Sequence, residues 1–473
     1  MRYVHSVAQI RDAEAKTRAT SSIPLMQHAA FGISRVSLEL LHLQGGGVYG
    51  KRVLLLVGSG DNGGDAMLTG AYLAHRGVQA FAVQTGTRVH SASKEFFLQA
   101  GGQFVDEGLA TEIDADLIID GIFGTGFQGA IPAPTQELIA QLQGVAPIVS
   151  IDVPSGVIAD SGLVSSGHVV ADYTCVVGAY KTGVLTGLGK EASGHIELIK
   201  LPCHYSMSDT QILDYEDVRD VYPPTAHGDH KYTRGVVLLD VGSSTYPGAG
   251  VLATSGARVS GAGMIRVRSE VTDSICQAYP DVVPADAYDR ADAIVLGCGD
   301  SANVGKVCDV LSQNIPVVLD AGALNFLNHE SVIEALNQRV QKGLCTIITP
   351  HEGEAARLGF QGDDRVSLAR EMARHFGCVV VLKGPGTIIC APNGHTIIDT
   401  YATSALSCAG SGDVLAGLIG GTLATGHGDV VTAVGSAVAL HGMAGRLRGS
   451  LTSAMTLAED IAFVRQQMLS TQE

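Results

Sequence analysis

The sequence predicts two α/β domains, each built on a doubly wound sheet, and three observations carry that prediction. The chain has 473 residues, more than one ordinary hydrophobic core accommodates. It contains 59 glycines and few aromatic residues, without a Gly-x-y period, which suits folds with many tight strand-to-helix turns. Short apolar runs recur in both halves and lead into glycine-rich turns and then helical patterns. Such runs are typical of buried parallel strands.

Composition narrows the class of protein. The net charge is −16 and is shared by both halves, so no basic face is available for the phosphates of nucleic acid. The nine cysteines are scattered and never form a Cys-x-x-Cys pair, which indicates reduced thiols in a cytoplasmic protein. The first ten residues lack an apolar signal core, and no run of about 18 apolar residues occurs. We therefore expect a cytoplasmic protein that binds neither nucleic acid nor membrane.

The first half is expected to end near residue 209 and the second to span residues 210–473. Residues 7–43 have helical spacing, residues 53–57 read as a strand, and residues 66–76 as a helix. Further strands are expected at 116–120, 147–152 and 195–199, and residues 202–229 read as a linker. In the second half we predict strands at 236–240, 264–267, 293–296, 317–319, 346–348 and 379–382, mostly separated by helices.

Three strands of the first half end in polar residues. Asp61, Asn62 and Asp65 lie in a glycine-rich turn after the first strand, and Asp120 and Asp152 end two others. Ligands of doubly wound sheets bind beyond the carboxyl ends of the strands, so these residues are expected to meet in one crevice. The alternatives are glycines that only allow packing, and aspartates that only form turns.

The second half contains the segment Cys-Ala-Gly-Ser-Gly-Asp-Val-Leu-Ala-Gly at residues 408–417. A helix that begins on such a turn directs unpaired N–H groups and its positive dipole end at an anion, usually phosphate. Asp413 is then explained as a base for a hydroxyl that attacks the phosphate. The alternative is a capped helix with a solvated aspartate. Lys383, which closes a strand before Gly-Pro-Gly, could place a cation on the same phosphate, whereas His351 alone favours no role.

Taken together, the motifs resemble a known family. They are Gly-Ser-Gly-Asp-Asn-Gly-Gly-Asp at 58–65, Asp-Gly-Ile-Phe-Gly-Thr-Gly at 120–126, Asp-Val-Pro-Ser-Gly at 152–156, His-Lys at 230–231, Gly-Ser-Ser-Thr-Tyr-Pro-Gly-Ala at 242–249, Thr-Pro-His-Glu-Gly-Glu at 349–354, Lys-Gly-Pro-Gly-Thr at 383–387 and Gly-Ser-Gly-Asp-Val-Leu-Ala-Gly at 410–417. In this order the chain resembles the bacterial bifunctional NAD(P)H-hydrate repair enzymes, which join a Rossmann-like epimerase domain to a ribokinase-like ADP/ATP-dependent dehydratase domain.

The resemblance implies an isomerase and lyase that acts on hydrated NADH or NADPH. The epimerase domain would interconvert the S and R forms, and the dehydratase would phosphorylate the ring hydroxyl of the S form from ADP or ATP and eliminate the phosphate. Asp413 and Asp152 are the implied catalytic residues, and K⁺ is expected on Asn62, Asp120 and Ser155. The implied substrate cradle of the first domain comprises Asp61, Asn62, Gly63, Gly64, Asp65, Gly124, Thr125, Gly126, Phe127, Gln128, Gly129, Ala130 and Asp152.

In the second domain the resemblance places Ala249, His351 and Asp413 on the hydrated nucleotide. It places Lys383, Gly384, Pro385, Gly386, Thr387 and Gly412 on the adenine nucleotide, with Mg²⁺. A homo-oligomer is expected. The sequence leaves open the choice between ADP and ATP and between the two substrates.

The chain departs from the family pattern at Asp61, Ala66, Ser301, Gly322 and residues 402–406. Asp61 adds negative charge near an anionic dinucleotide, and Ser301 replaces a glycine at which the backbone is expected to approach substrate. Two other hypotheses stay open: a ribokinase-like small-molecule kinase that leaves the phosphate on its product, or one half retained as a non-catalytic binding domain.

Overall fold

The computed structural model describes residues 1–470 and divides them into two compact units. One unit runs from Tyr3 to Ser208, and the other comprises Met1, Arg2 and the chain from Asp209 onward. Both units are α/β with a predominantly parallel sheet, which confirms the predicted fold class. They are called the N-terminal and the C-terminal unit.

The N-terminal unit contains a fully parallel sheet in the order β4-β3-β2-β5-β6-β7-β8. The chain moves outward from β2 to β4 and then returns to place β5 on the other side of β2, so the strand order reverses between β2 and β5. The first strand of the chain, β1 (Arg2–Tyr3), belongs to the sheet of the C-terminal unit. The elements of the N-terminal unit are α1 (Val7–Thr20), α2 (Leu25–Leu43), β2 (Arg52–Val57), α3 (Asp61–Ala74), β3 (Gln79–Gln84), α4 (Ser91–Gln99), β4 (Gln103–Val105), α5 (Glu107–Glu112), β5 (Leu117–Gly121), α6 (Ala133–Leu142), β6 (Ile148–Ile151), β7 (Tyr173–Val177), a 3-10 helix (Thr182–Val184), α7 (Gly187–Ser193) and β8 (His195–Ile199).

Two predictions for this unit need correction. The helical pattern at 7–43 is two helices, because Pro24 caps α2 and its ring cannot continue a helix from α1. The helix predicted from residue 66 begins at Asp61, after Gly60 in extended conformation. Asp61, Asn62 and Asp65 therefore lie in the first turns of α3 and not in a loop before it. The core under this helix is apolar on both faces of the sheet.

The C-terminal unit is organised by a sheet in the order β1-β9-β18-β17-β16-β15-β14-β13-β10-β11-β12, with the order reversing between β10 and β13. The elements are β9 (Thr210–Ile212), α8 (Tyr215–Val221), β10 (Val236–Asp240), α9 (Pro247–Arg258), β11 (Met264–Val267), α10 (Thr272–Ala278), β12 (Val283–Pro284), β13 (Ala293–Leu296), α11 (Val304–Leu311), β14 (Val317–Leu319), α12 (Glu330–Gln341), β15 (Thr346–Ile348), α13 (Glu352–Arg357), α14 (Arg365–Phe376), β16 (Val379–Leu382), β17 (Ile388–Cys390), β18 (Thr396–Ile398), α15 (Ser411–Thr425), α16 (Val430–Arg448) and α17 (Ala454–Ser470), with 3-10 helices at Ala321–Phe326, Ser404–Leu406 and Gly449–Leu451.

The six strands predicted for this half are confirmed with their bounds, but the parallel pattern does not extend throughout. β17 pairs with β16 and with β18 antiparallel. The predicted linker at 202–229 is also wrong in part, because it contains β9 and α8. β9 extends the sheet beside β18, and Val218 and Val221 of α8 are buried in the core.

α9 and α15 pack at the closest approach that their backbones allow. A Cβ added at Gly417 of α15 would lie 1.8 Å from the carbonyl oxygen of Ala253, and one added at Gly256 of α9 would lie 2.0 Å from that of Val414. Such distances are far shorter than any van der Waals contact, so the two glycines fix the separation of the helices. The beginnings of α9 and α15 are thereby held side by side beyond the sheet edge.

The longest apolar helix of the unit belongs to its core. By length and composition alone, Val430–Leu451 could reach across a membrane, but 78% of its apolar window is buried inside the protein. His441, on its buried face, has its Nε2 3.1 Å from the carbonyl oxygen of Ser411 in α15. This helix, α16, therefore contacts the first turn of α15 through His441.

A buried guanidinium fixes the ends of three segments. Arg339 of α12 is 1% exposed and donates hydrogen bonds to the carbonyl oxygens of Leu311, Gln313, Ile315 and Cys345. These carbonyls lie at the end of α11 and before β14 and β15. Since buried carbonyls need donors, one side chain satisfies the backbone where three segments meet.

Candidate active sites

In the N-terminal unit, Asp120 is the buried centre of a hydrogen-bond network at the end of β5. Its carboxylate accepts from the hydroxyl of Ser150 (2.8 Å) and from the hydroxyl (2.5 Å) and amide (2.9 Å) of Ser155. The amide of Phe123 in turn donates to the hydroxyl of Ser155 at 2.9 Å. Burial raises the pKa of Asp120 even though these donors oppose the shift. The sequence-predicted pair Asp120 and Ser155 is therefore in direct contact.

Asn62, the third predicted K⁺ ligand, lies on the neighbouring first turn of α3. A Cβ added at Gly124 would lie 3.1 Å from Asn62 Oδ1, so the turn after β5 passes directly over this side chain. The Asn62 Nδ2 atom is buried without a hydrogen-bond partner. Among residues 1–470, Asp120 has no ion-pair partner. A buried carboxylate without a cation, next to hydroxyl and amide oxygens, fits a monovalent cation.

The other residues that were predicted to line the substrate site of the N-terminal unit differ in how deeply they are buried. The first turns of α3 carry Asp65, whose Oδ1 is buried without a partner. Burial and the neighbouring carboxylates of Asp152, Asp61 and Glu14 raise the pKa of Asp65 well above its ordinary value. Phe127 differs from its prediction: its ring is buried against Phe123, with centroids 5.0 Å apart, so only its backbone can line a ligand site. By contrast, the three residues at the end of this loop are exposed: Gln128, Gly129 and Ala130. Thr125 and Gly126 follow Gly124 in the same loop.

Asp152 is held in a strained conformation by a lysine that the sequence did not indicate. Its φ is +70°, in the left-handed region that is unfavourable for aspartate. Its Oδ1 accepts from Lys181 Nζ and, at 3.0 Å, from the amide of Val177. Lys181 is 1% exposed and also donates to the carbonyl of Val177 at 2.7 Å. Asp152 therefore has a buried lysine as its hydrogen-bond partner, while burial favours the protonated form of Asp65.

In the C-terminal unit, the predicted anion site at the beginning of α15 is present. Gly410 precedes the helix with φ +87°, where a side chain would also strike Leu252, since its Cβ would lie 2.4 Å from Leu252 Cδ1. Gly412 and Asp413 occupy the first turn, whose amides lack acceptors within the helix. The site thus combines free backbone donors with a carboxylate. Burial, and secondarily the carboxylate of Asp320, raise the pKa of Asp413 to about 7.

Lys383 joins this site from the end of β16. Its Nζ donates to Asp320 Oδ1 at 2.8 Å and lies 3.8 Å from Glu354 Oε2. Burial alone would lower the pKa of Lys383, but these carboxylates outweigh it and raise the pKa above its ordinary value. A Cβ added at Gly412 would lie 3.5 Å from Lys383 Nζ, so the ammonium group is next to the first turn of α15. A cation and helix amides therefore face the same space.

The other predicted nucleotide residues form the turn after Lys383. Gly384 and Gly386 have φ of +143° and +62°, conformations that side chains rarely adopt. The hydroxyl of Thr387 donates to the carbonyl of Gly384 at 3.1 Å, which closes the turn around Pro385. The turn is thus a compact loop whose backbone can approach a ligand closely.

The two remaining predicted substrate residues have different surroundings. Ala249 lies in the first turn of α9, where a Cβ added at Gly299 would come within 2.8 Å of its own Cβ. His351 caps α13: its Nδ1 accepts from the amides of Gly353 (3.0 Å) and Glu354 (3.3 Å). About half of the His351 side chain is exposed, and its other ring nitrogen, Nε2, lies 3.6 Å from Glu354 Oε1.

Sequence reasoning did not assign roles to Asp320, Cys298 or Lys181. Asp320 was visible as a strand-end aspartate, but its contacts with Lys383 and Thr349 (2.6 Å) join segments distant in sequence. Cys298 lies three residues before Ser301, at which the sequence departs from the family pattern. Nothing in the sequence around Lys181, apart from its charge, indicated a role.

Comparisons with known proteins agree with this arrangement. A family model described as NAD(P)H-hydrate dehydratase matches residues 236–466, and one described as YjeF-related protein N-terminus matches residues 22–183. A bifunctional NAD(P)H-hydrate repair enzyme of Mycobacterium leprae is 36% identical over 440 residues, which cover 90% of each chain. Its counterpart in Synechocystis is 32% identical over 482 residues, covering 94% of this chain and 90% of that one. The chain belongs to the bifunctional NAD(P)H-hydrate repair enzymes.

The family resemblance predicted from the motifs is thereby confirmed, with the epimerase-like model on the N-terminal unit and the dehydratase model on the C-terminal unit. A crystal structure of the ADP/ATP-dependent NAD(P)H-hydrate dehydratase of Bacillus subtilis, obtained with ATP and Mg²⁺, aligns with a TM-score of 0.47 and 32% identity over 55% of this chain and 98% of that one.

Proposed function

We propose that this protein repairs hydrated NADH and NADPH, epimerising the S and R forms in its N-terminal unit and dehydrating the S form in its C-terminal unit. The observation that carries the proposal is the meeting of Asp413, the first-turn amides of α15 and Lys383 at one point. Family membership supports hydrated NAD(P)H as the substrate, and the acceptor would then be the hydroxyl on its nicotinamide ring. ADP and ATP both remain candidates for the phosphoryl donor.

The dehydration needs a better leaving group than hydroxide. Asp413 removes the proton of the ring hydroxyl as its oxygen attacks the terminal phosphorus of the nucleotide, which reaches the site as its Mg²⁺ complex. The bond from that phosphorus to the bridging oxygen breaks, and the phosphoryl group passes to the ring. Amides of Gly412 and Asp413 and the ammonium of Lys383 stabilise the transferring charge because they are already oriented towards it.

Elimination then restores the cofactor. The ring nitrogen donates its electron pair as the carbon–oxygen bond breaks and phosphate leaves. Loss of the proton on the adjacent ring carbon completes the double bond. The balance is one hydrated dinucleotide and one ADP in, and one reduced dinucleotide, one AMP and one phosphate out, or ADP and phosphate when ATP is the donor.

In the N-terminal unit, inversion at the hydroxyl-bearing carbon requires that the hydroxyl leave and that water add to the opposite face. Asp65, whose protonated form is favoured by burial, would donate a proton to the departing hydroxyl, and Asp152, beside Lys181, would accept a proton from the incoming water, so that one proton is given and one is taken. K⁺, where bound, would supply a positive charge on Asn62, Asp120 and Ser155 that holds the turn after β5 against α3. These roles, and a homo-oligomeric, cytoplasmic enzyme, are part of the proposal.

The test uses the full-length protein with a mixture of S and R hydrated NADH and with ADP. We expect recovery of reduced-nicotinamide absorbance together with stoichiometric AMP and phosphate, and consumption of both forms. Asp413→Ala should abolish recovery, while Asp152→Ala should consume the S form and leave the R form. A phosphorylated product without recovered absorbance would instead identify a kinase, and recovery unaffected by Asp413→Ala would refute the mechanism.

A further inference from the structure

Cys298 lies between the two carboxylates of the dehydratase site. It follows β13 and is fully buried. Its Sγ donates to Asp320 Oδ2 at 3.7 Å, and its Sγ and one carboxylate oxygen each from Asp320 and Asp413 lie within 4.8 Å of one another. Two like charges so close repel each other, and the thiol is the polar group placed among them.

The loop that carries this thiol cannot turn it outward. The backbone carbonyl of Cys298 accepts a hydrogen bond from the amide of Gly242 at 2.8 Å, which joins the turn after β13 to the turn after β10. On one side, a Cβ at Gly297 would lie 2.0 Å from the carbonyl oxygen of Asp320, and on the other, a Cβ at Gly299 would lie 2.8 Å from Ala249 Cβ. Both glycines have positive φ, of +114° and +72°. The backbone therefore fixes the side chain of Cys298 towards the carboxylates.

The thiol at this position acts as a donor and not as a nucleophile. Burial first, and then the negative charges of Asp320 and Asp413, raise the pKa of Cys298 well above its ordinary value. A protonated thiol is a weak hydrogen-bond donor, but a donor among carboxylates stabilises their ionised forms. A thiolate here would add a third negative charge to the cluster.

We infer that Cys298 is a positioning residue of the dehydratase: its S–H, which donates to Asp320 and lies within 4.8 Å of the Asp413 carboxylate, orients that carboxylate towards the substrate hydroxyl. The inference rests on the proposed function, since it assigns a partner to the base of that reaction. Cys298 touches neither substrate in this scheme and acts only through Asp413 and Asp320.

Other titratable groups near Asp413 also bear on its pKa. Asp320 raises its pKa, Lys383 lowers it, and His441 of α16, whose pKa burial lowers to about 4, is neutral under the first turn. The remaining charged residues on the elements packed against α15 are engaged elsewhere: Asp240 with Arg268 and Lys306, Arg258 with Asp281, Arg446 with the carbonyl of Tyr401, Asp460 and Glu459 with Arg448, and Arg465 with the carbonyl of Val259. Besides burial, the groups that set the pKa of Asp413 are therefore Asp320, Lys383 and Cys298.

The test is the pH profile of dehydration by Cys298→Ala and Cys298→Ser. Burial is the largest influence on Asp413 and raises its pKa, while donation from Cys298 lowers it. Removing the donor should raise the pKa, so the acidic limb of the rate should move to higher pH by about half a unit or more. Roughly a three-fold loss of rate follows on that limb, with little change on the plateau. Serine keeps a donor and should keep the limb at or below the wild-type position.

Cys378→Ala is the matched control, because Cys378 is also a buried cysteine of the C-terminal unit but lies at the opposite end of β16. It should leave the limb unchanged even if it lowers thermal stability as much as Cys298→Ala does. An Ala variant whose limb coincides with that of the wild type, or a Ser variant that shifts as far as Ala, would overturn the positioning role while leaving the dehydratase function intact. A wild-type protein that recovers no NADH would overturn both.

Discussion

Replacing Asp320 by asparagine should lower the pKa of Asp413, the proposed base of the dehydratase. The wild-type rate should rise with pH through about 7, because burial and the Asp320 charge raise the pKa of Asp413 to about 7. A unit charge within 4.8 Å at an effective dielectric constant of about 20 contributes roughly 3.5 kcal/mol. Lys383, 2.8 Å from the same carboxylate, offsets much of that. We therefore expect Asp320→Asn to move the acidic limb down by about one pH unit, equivalent to about 1.4 kcal/mol.

The assay is the initial rate of NADH recovery from the S form with ADP, measured between about pH 5 and pH 9. The position of the limb is the readout and not the height of the plateau, since Lys383 also loses a partner. Thr349→Val is the matched control: it removes the 2.6 Å hydrogen bond to Asp320 but keeps the charge. A limb that stays in place in Asp320→Asn, or that moves to higher pH, would show that Asp320 does not tune the base.

Three further outcomes are expected. Lys383→Met should lower nucleotide-dependent dehydration by about 100-fold or more, because the only lysine beside the first turn of α15 among the described residues is lost; epimerisation should be unchanged. Lys181→Met should slow epimerisation by about ten-fold or more with dehydration of the S form retained, since Asp152 loses its buried cation. Arg339→Met should lower the free energy of unfolding of the C-terminal unit by about 3–5 kcal/mol, measured by urea denaturation, because four carbonyls lose a shared, buried donor.

Each of these has an outcome that contradicts it. A Lys383→Met enzyme with normal kcat and KM for the nucleotide would remove the lysine from the phosphate site. Equal losses of both activities in Lys181→Met would indicate unfolding and not an epimerase role. For Arg339→Met the control is Arg290→Met, whose side chain is 83% exposed and whose ion pair with Asp289 spans 3.9 Å; similar losses in both variants would refute the role of the buried carbonyls.

The sequence was informative where the structure depends on local pattern. Buried parallel strands such as β10 and β16 are continuous apolar runs, and the anion site at α15 follows from glycines next to a helix start. β9 and α8 could not be read in the same way. β9 is three residues long and becomes a strand only through pairing with β18, and α8 is defined by burial of Val218 and Val221. The antiparallel β17 was missed because its three apolar residues carry no sign of direction.

The same distinction holds within the sites. Asp413 and Asp120 could be named because they end a motif or a strand, but the partners that set their ionisation come from distant segments. Lys181 follows Asp152 by 29 residues, and Lys383 follows Asp320 by 63. A pKa depends on burial and on charges in space, which spacing along the chain does not reveal.

The close packing of α9 against α15 limits which glycines can be replaced to stabilise this protein. Replacing helical glycine by alanine is a common route to heat stability, with a gain of about 0.5–1 kcal/mol per site. At Gly256 and Gly417 that route is closed, because the new methyl group would enter a facing carbonyl at 2.0 Å or 1.8 Å. Since α15 also carries Asp413 in its first turn, the displaced helix would carry the base away from its substrate. Thermostabilising libraries should therefore leave this pair of glycines untouched and sample solvent-facing positions such as Gly108 of α5, where a Cβ would come no closer than 3.5 Å to Asp106 Oδ1.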